Sequence, residues 1–212
     1  KLWIQPDQNR FKGVAEIIFE PDLTFEGDLY LSVKDLEVFQ VRINGHKIDQ
    51  NYFNEITQSQ NGALYFANHR ITKEKFTIQI KYIGKFGDAY GLLQFQDQTS
   101  KTGESYIFSS TNVIGASSIY PCFESPQVRA MFRLSLAVPK GWKAQSNEKS
   151  DDPVALDSDF ETFANDGLDP KTDDFHEYKF RQTKSIPFHA LSIAAGNLTE
   201  TKTKTSLLGR KI

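Results

Sequence analysis

The sequence lacks the features that mark several classes of protein. Its 212 residues include one cysteine, Cys122, which excludes a disulfide framework and any metal site built on several thiolates. No apolar run approaches the roughly 18 residues that a membrane-spanning helix needs. The 25 Lys and Arg do not outnumber the 27 Asp and Glu, so the charge does not favour a nucleic-acid partner. The chain begins at Lys1 without a start methionine or signal peptide, and we expect it to be part of a longer protein.

Aromatic residues are plentiful, with 17 Phe and 8 Tyr against 1 Met, which favours pleated sheet surfaces over helix seams. Apolar and polar residues alternate with the period of a strand in many segments. The predicted strands cover residues 11–20, 28–33, 36–43, 76–82, 129–138, 177–182 and 188–195. The last is nearly all apolar, which predicts a central position in its sheet. Asn44-Gly45 predicts a type I′ hairpin turn.

No stretch of 12 residues keeps a helical period, so the sequence predicts an all-β chain. The expected architecture is a sandwich or a large curved sheet with packed partners.

One segment departs from the average composition. Residues 146–177 contain eleven acidic residues and two lysines. We interpret this segment as a solvated acidic loop inserted between two strands. The alternative is a Ca²⁺ loop in which Asp157, Asp159 and Glu161 supply oxygen ligands, although no glycine occupies the place where an EF-hand loop turns.

The histidines give no metal motif. The chain has four of them: His46, His69, His176 and His189. His176-Glu177 resembles the start of the zinc motif HExxH, but Phe180 occupies the place of the second histidine and the surroundings predict a strand. We expect His189 to be a hydrogen-bonded core residue and His46 to be exposed.

No catalytic motif is visible in the rest of the chain. Cys122 has no recognisable Cys/His signature around it and is interpreted as a small buried apolar residue. A GxSxG elbow and a glycine-rich phosphate loop are both absent from the sequence. The residues alone therefore predict no catalytic residue, no metal ligand and no cofactor.

The segment around Cys122 resembles the signature of a known family. Residues 106–126 read YIFSSTNVIGASSIYPCFESP and are similar to the signature of the M1 zinc aminopeptidases, roughly TQFEPxxARxxFPCFDEP. The strand over 129–139, the Gly141-Trp142 pair, the Asn44-Gly45 turn and the apolar segment 186–196 have counterparts in that family at corresponding places. The similarity extends along nearly all of the chain, with the leukotriene A4 hydrolase branch in particular.

The resemblance implies that residues 1–212 form a single all-β N-terminal domain of a longer protein. In the family this domain is saddle-shaped, contains a large mixed sheet and packs on a thermolysin-like catalytic domain. It lends one loop to the subsite that binds the free α-amine of a peptide. Peptide N-termini and the catalytic domain are thus the implied partners. Zinc and the general base are expected in that other domain.

The same resemblance points to candidate binding residues. Without gaps, the family's amine-binding Glu or Gln falls on Asn112, the Gln two residues earlier falls on Ser110, and an Arg falls on Ser117. Glu124 replaces an Asp. Asn112 can accept a hydrogen bond from an ammonium through its amide oxygen, with Ser110 beside it.

These departures keep two alternatives open. One is a non-catalytic M1-like scaffold in a larger assembly, with the acidic segment and the basic remainder as docking surfaces. The other is a free-standing β-sandwich binding module.

Overall fold

The computed structural model describes residues 1–20, 27–57, 62–67, 75–97, 99, 104–156 and 172–199. The Ca²⁺ alternative at Asp157, Asp159 and Glu161 lies outside these residues, as does His69. Within the described ranges the strands are β1 (Leu2–Gln5), β2 (Arg10–Phe19), β3 (Leu29–Ser32), β4 (Leu36–Ile43), β5 (His46–Lys47), β6 (Ala63–Phe66), β7 (Phe76–Lys85), β8 (Gly91–Gln96), β9 (Ser105–Ser110), β10 (Arg129–Ala130), β11 (Ser135–Pro139), β12 (Lys143–Ser146), β13 (Phe175–Lys179), β14 (Ile186–Pro187) and β15 (Ile193–Gly196). The helix α1 covers Gln50–Thr57.

A seven-stranded sheet forms the largest layer, with the strand order β13-β11-β1-β2-β7-β4-β5. Its centre is the antiparallel pair β2 and β7, whose ladder of ten residue pairs starts at Arg10↔Lys85 and ends at Phe19↔Phe76. β1 and β11 run parallel, and the other neighbours in the sheet are antiparallel. The predicted all-β class with a large mixed sheet is therefore confirmed.

Smaller sheets and the helix pack against one face of this layer. A four-stranded sheet has the order β12-β15-β9-β8, and β3 pairs with β6. One continuous core joins all of these elements, because alternate side chains of each strand point inward. Its fully buried members include Ile4 and Ile80 from the large sheet, Leu31 from β3, Ile56 from α1 and Leu92 from β8. The opposite face of the large sheet carries a smaller cluster around Trp3 and Phe175.

Several local predictions are confirmed. The segments over 11–20, 28–33, 36–43 and 76–82 form β2, β3, β4 and β7. The turn between β4 and β5 has φ 50° at Asn44 and 79° at Gly45, as a type I′ turn requires. His176 lies in β13 as expected for a strand, and no helical HExxH geometry exists there.

Three predicted strands are wrong in extent, and one of them is 177–182, where β13 spans Phe175–Lys179. The segment 129–138 divides into β10 and β11, because the backbone N–H of Phe132 donates to the side-chain oxygen of Thr183 and not to a backbone carbonyl. The start of the segment 188–195 is a 3₁₀ turn over Phe188–Ala190. Only Ile193–Gly196 is a strand, and it is central between β12 and β9 as predicted.

The helix α1 was not predicted. Its eight residues are too few to show a period over a 12-residue window. The carboxylate of Asp49 accepts a hydrogen bond from the backbone N–H of Tyr52 at 2.9 Å, which is the geometry of a helix N-cap.

Two glycines in the central ladder leave room for aromatic rings. Gly13 is paired with Tyr82 across the ladder, and Gly84 is paired with Phe11. A Cβ atom built at Gly13 would overlap the Tyr82 ring, and one at Gly84 would overlap the Phe11 ring. Both rings are buried, so neither can move aside without disturbing the core.

We therefore expect Gly84→Ala to lower the free energy of unfolding by about 1–3 kcal/mol, the usual cost of forcing an extra methyl group into a packed core. Urea unfolding followed by tryptophan fluorescence would measure this change. Gly27→Ala is the matched control, because a Cβ there meets nothing within 4 Å. Equal unfolding midpoints for the two variants would contradict the role assigned to Gly84.

Candidate functional site

The candidate site is a short exposed loop that follows β9. It consists of Asn112, Val113 and Ile114, and we call it the 112–114 loop. Asn112 is exposed, and the apolar side chains of Val113 and Ile114 are 55% and 59% exposed. A buried 3₁₀ turn over Ala116–Ser118 follows it. The loop thus projects three residues from a rigid base.

The first residue of the base is Thr111, which is buried. Its hydroxyl donates a hydrogen bond of 2.6 Å to the backbone carbonyl of His189. That carbonyl is free of sheet pairing because residues 188–190 form a 3₁₀ turn. The 3₁₀ turn that the alternation missed is therefore one of the supports of the loop.

The other end of the loop is held by Glu124. Oε1 of this carboxylate accepts hydrogen bonds from the backbone N–H of Gly115 at 2.7 Å, from the hydroxyl of Ser117 at 2.6 Å and from the backbone N–H of Ser117 at 3.3 Å. These donors immediately follow the loop in the chain. The carboxylate consequently fixes the direction in which the backbone leaves the loop.

Several interactions act on the charge of Glu124. Partial burial by itself would raise the pKa of this carboxyl. The hydrogen bonds from Ser117 and Gly115 and the attraction of Lys34 outweigh it, so the pKa lies below its ordinary value of 4.5. The group is ionised at neutral pH. Its stabilising contribution is present above the ordinary pKa and is lost as the pH falls through the lowered value.

The backbone of the loop explains two of its residue types. Asn112 has φ 45°, in the left-handed region that Asn adopts more readily than most residues. Gly115 has φ 126°, and a Cβ there would lie 3.0 Å from the carbonyl oxygen of Thr111. Only glycine fits this close approach between the two ends of the loop.

The residues predicted from the resemblance divide into two groups. Asn112 is exposed in the loop, and Ser110, two residues earlier, is the partly buried last residue of β9. Ser117 is fully buried, and its hydroxyl is directed inward to Glu124. Asn112 and Ser110 thus remain a candidate pair of polar groups near the loop, whereas Ser117 belongs to its support.

Apolar side chains are exposed on the four-stranded sheet as well as on the loop. The inner face of this sheet is buried through Leu92 and Ile107. Its outer face carries the aromatic side chains of Phe95 and Phe108, which are 57% and 43% exposed. Phe108 and Ser110 lie on the same face of β9, because their positions differ by two residues. We use the name apolar patch for four exposed apolar side chains, those of Phe95, Phe108, Val113 and Ile114.

The other candidate groups form no site. Cys122 is fully buried, its backbone pairs with Ser32, and burial raises the pKa of its thiol well above the ordinary value, which confirms its interpretation as a small apolar residue. His46 is exposed, as predicted. His189 is half-buried on a 3₁₀ turn, so its prediction as a core strand residue is wrong. Nε2 of His176 lies 3.1 Å from the carbonyl oxygen of Trp142.

Nothing in the described part of the chain fits a zinc ion. Across these residues no group of three His, Cys, Asp or Glu side chains converges as a ligand set. Similarly, no helix within the described ranges has the length and apolar character to cross a membrane. The described residues therefore offer no ligand set to which zinc could be assigned.

The two supports of the loop are absent from the sequence-based predictions. The family signature presents Glu124 only as a replacement for Asp, and nothing in the sequence assigns a role to the carbonyl of His189. A signal for Glu124 does exist, since it lies in the conspicuous PCFESP segment just after the loop. No sequence signal marks a backbone carbonyl 78 residues from its donor.

Comparisons with known proteins agree with the fold. The chain is 27% identical over 173 residues to leucine aminopeptidase 2 of Saccharomyces cerevisiae, which covers 81% of this chain and 22% of that protein. Leucine aminopeptidase 2 of Aspergillus fumigatus is 25% identical over 199 residues, which cover 92% of this chain and 30% of that protein. Protein TMA108 of Saccharomyces cerevisiae is 25% identical over 142 residues, which cover 62% of this chain and 14% of that protein. The chain thus spans less than a third of the length of these relatives.

Solved structures show the same architecture. Yeast LTA4 hydrolase in complex with bestatin superposes with a TM-score of 0.64 and 19% sequence identity, over 95% of this chain and 28% of that one. The family model described as the Peptidase M1 N-terminal domain matches residues 1–187. This match covers most of the chain, including the strands of the large sheet and the 112–114 loop. The chain therefore belongs to the M1 peptidase N-terminal domain family.

Proposed function

We propose that this chain is the substrate-entrance domain of a longer zinc aminopeptidase, in which the 112–114 loop helps to bind the free α-amine of a peptide. The observation that carries the proposal is the loop itself. It exposes Asn112 between two fixed ends, at the place where the chain resembles the family signature. A rigid sheet that presents one loop to a neighbouring cleft suits this role.

The chemistry assigned to the loop is hydrogen bonding to an ammonium group. The amide oxygen of Asn112 is the acceptor, and the hydroxyl of Ser110 is a second acceptor two residues away. Both acceptors are neutral, so only the donor of such a hydrogen bond is charged, and the attraction between opposite charges that a carboxylate would add is absent. We therefore expect the loop to contribute orientation and only part of the affinity for the amine.

The partner proposed for the apolar patch is the catalytic domain of the same longer protein. Phe95, Phe108, Val113 and Ile114 are large apolar side chains that are between 43% and 59% exposed, and burying them against another domain would be favourable. The leucine aminopeptidase 2 relatives are several times longer than the matched segment, so they contain further domains to cover such a surface. Packing there would carry the loop to the edge of the catalytic cleft.

The reaction itself belongs to that other domain. Zinc held there would supply the activation of a water for hydrolysis of the first peptide bond, and its ligands and the general base are expected outside this chain. The residues of this chain bind and orient the N-terminus.

The alternative is a non-catalytic scaffold in a larger assembly. Two observations favour it as the second candidate. The groups offered by the loop, Asn112 and Ser110, are uncharged, and one relative, protein TMA108, has a name that states no peptidase activity.

An activity assay on the full-length protein distinguishes the peptidase from the scaffold. We expect it to release the chromophore from aminoacyl p-nitroanilides with a free α-amine and not from their N-acetylated forms, and to lose this activity with a zinc chelator. The isolated chain is expected to hydrolyse neither substrate. A zinc-loaded full-length protein that hydrolyses none of a panel of free aminoacyl substrates would refute the peptidase proposal and favour the scaffold.

A charge at position 112 should strengthen amine binding. In the full-length protein, Asn112→Asp is expected to lower KM for free-amine substrates by a factor equivalent to about 1–2 kcal/mol, since a carboxylate replaces a neutral acceptor. Asp is chosen over Glu because the left-handed backbone at Asn112 suits a short polar side chain.

Asn112→Ala is the matched control and is expected to raise the same KM. Steady-state kinetics on one aminoacyl p-nitroanilide measures all three proteins. If KM is the same for the wild type and both variants, Asn112 does not bind the amine.

A further inference from the structure

We propose that Glu124 is a positioning residue that sets the affinity for a free α-amine without touching the substrate. Its carboxylate holds the 112–114 loop in the shape that presents Asn112. This inference rests on the proposed function of the loop, and it adds a residue to which neither composition nor the alternation of the chain assigns a role.

Glu124 is joined to the segment that follows the loop by several hydrogen bonds. Oε1 of Glu124 accepts three of them, at 2.6 Å and 3.3 Å from Ser117 and at 2.7 Å from Gly115. The two shorter distances are typical of bonds to an ionised acceptor, which are stronger than those between neutral groups. One charged oxygen therefore ties down the whole segment that leaves the loop.

The two ends of the 112–114 loop lie close together. A Cβ at Gly115 would lie 3.0 Å from the carbonyl oxygen of Thr111, so the ends almost touch. Three residues join them, and Asn112 has a backbone conformation that is unfavourable for most residues. Such a loop keeps its shape only while both ends are held, and Glu124 provides the charged one of the two supports.

Groups outside the loop also act on the carboxylate of Glu124. Lys34, from the turn between β3 and β4, attracts it, and the thiol of Cys122 is near on its own segment. Lys34 lies in a different part of the chain from the loop. The hydrogen bonds from Ser117 and Gly115 are the main influences that lower the pKa of Glu124, and Lys34 adds a weaker attraction from outside the loop.

A double-mutant cycle in the full-length protein tests this inference. We expect Glu124→Gln to raise KM for a free aminoacyl p-nitroanilide about tenfold, with a smaller change in kcat, because the uncharged amide holds the donors more weakly. The same change in an Asn112→Ala background should have almost no effect, since Glu124 acts through Asn112. Equal effects in the two backgrounds would overturn the inference.

Amide hydrogen exchange gives a readout that does not depend on activity. In the Glu124→Gln protein the backbone amides of Gly115 and Ser117 are expected to exchange at least about tenfold faster, while those of β9 keep their rates. Unchanged exchange at Gly115 and Ser117 would overturn the inference. A uniform increase over β9 as well would show a general loss of stability and would also overturn it.

Ser117→Ala is the milder variant and carries the test if Glu124→Gln does not fold. It removes one hydrogen bond and leaves the two backbone donors, so we expect a KM increase of about threefold. The two proposals fail in different ways. If Asn112→Ala leaves KM unchanged, the proposed function of the loop fails. If Asn112→Ala raises KM and Glu124→Gln does not, only the inference about Glu124 fails.

Discussion

The antiparallel ladder between β2 and β7 is the interaction on which the rest of this structure depends. It is the longest strand pairing in the described part of the chain, and β1 and β4 attach to its two sides. The side chains on its inward face are the ones against which the four-stranded sheet, the β3–β6 pair and α1 pack. Two glycines in the ladder make room for the buried rings of Tyr82 and Phe11, because a side chain at either glycine would overlap the ring. These two large aromatic residues of the core therefore depend on glycines opposite them.

The fold was predictable where local pattern decides the outcome. β2, β4 and β7 alternate strictly, and alternation records which side chains are buried. It does not record which backbone groups find partners. The segment 188–190 looks like a strand by composition, yet the carbonyls of Phe188 and His189 accept hydrogen bonds from the side chains of Tyr120 and Thr111. Such contacts join residues that are far apart in the chain, and no local period contains them.

At the candidate site, too, the sequence indicates single residues but not the contacts between them. The signature over residues 106–126 pointed to Asn112 and Ser110, but it presented Ser117 and Glu124 as two separate departures from the family pattern. In the structure these two residues meet in one hydrogen bond of 2.6 Å. A shorter side chain at one position and a longer one at the other thus belong to a single contact. Two departures that stand seven residues apart in the sequence are therefore direct neighbours in the structure.

The burial of Cys122 has a practical consequence. It is the one cysteine of the sequence, and its side chain is fully buried within the core. The native chain therefore offers no reactive thiol to a maleimide reagent. In the isolated chain, a cysteine introduced at Val113 would be a unique attachment point for a spin label or a fluorophore at the tip of the 112–114 loop. Motion of that tip in the isolated chain can then be followed directly, and no second label contributes to the signal.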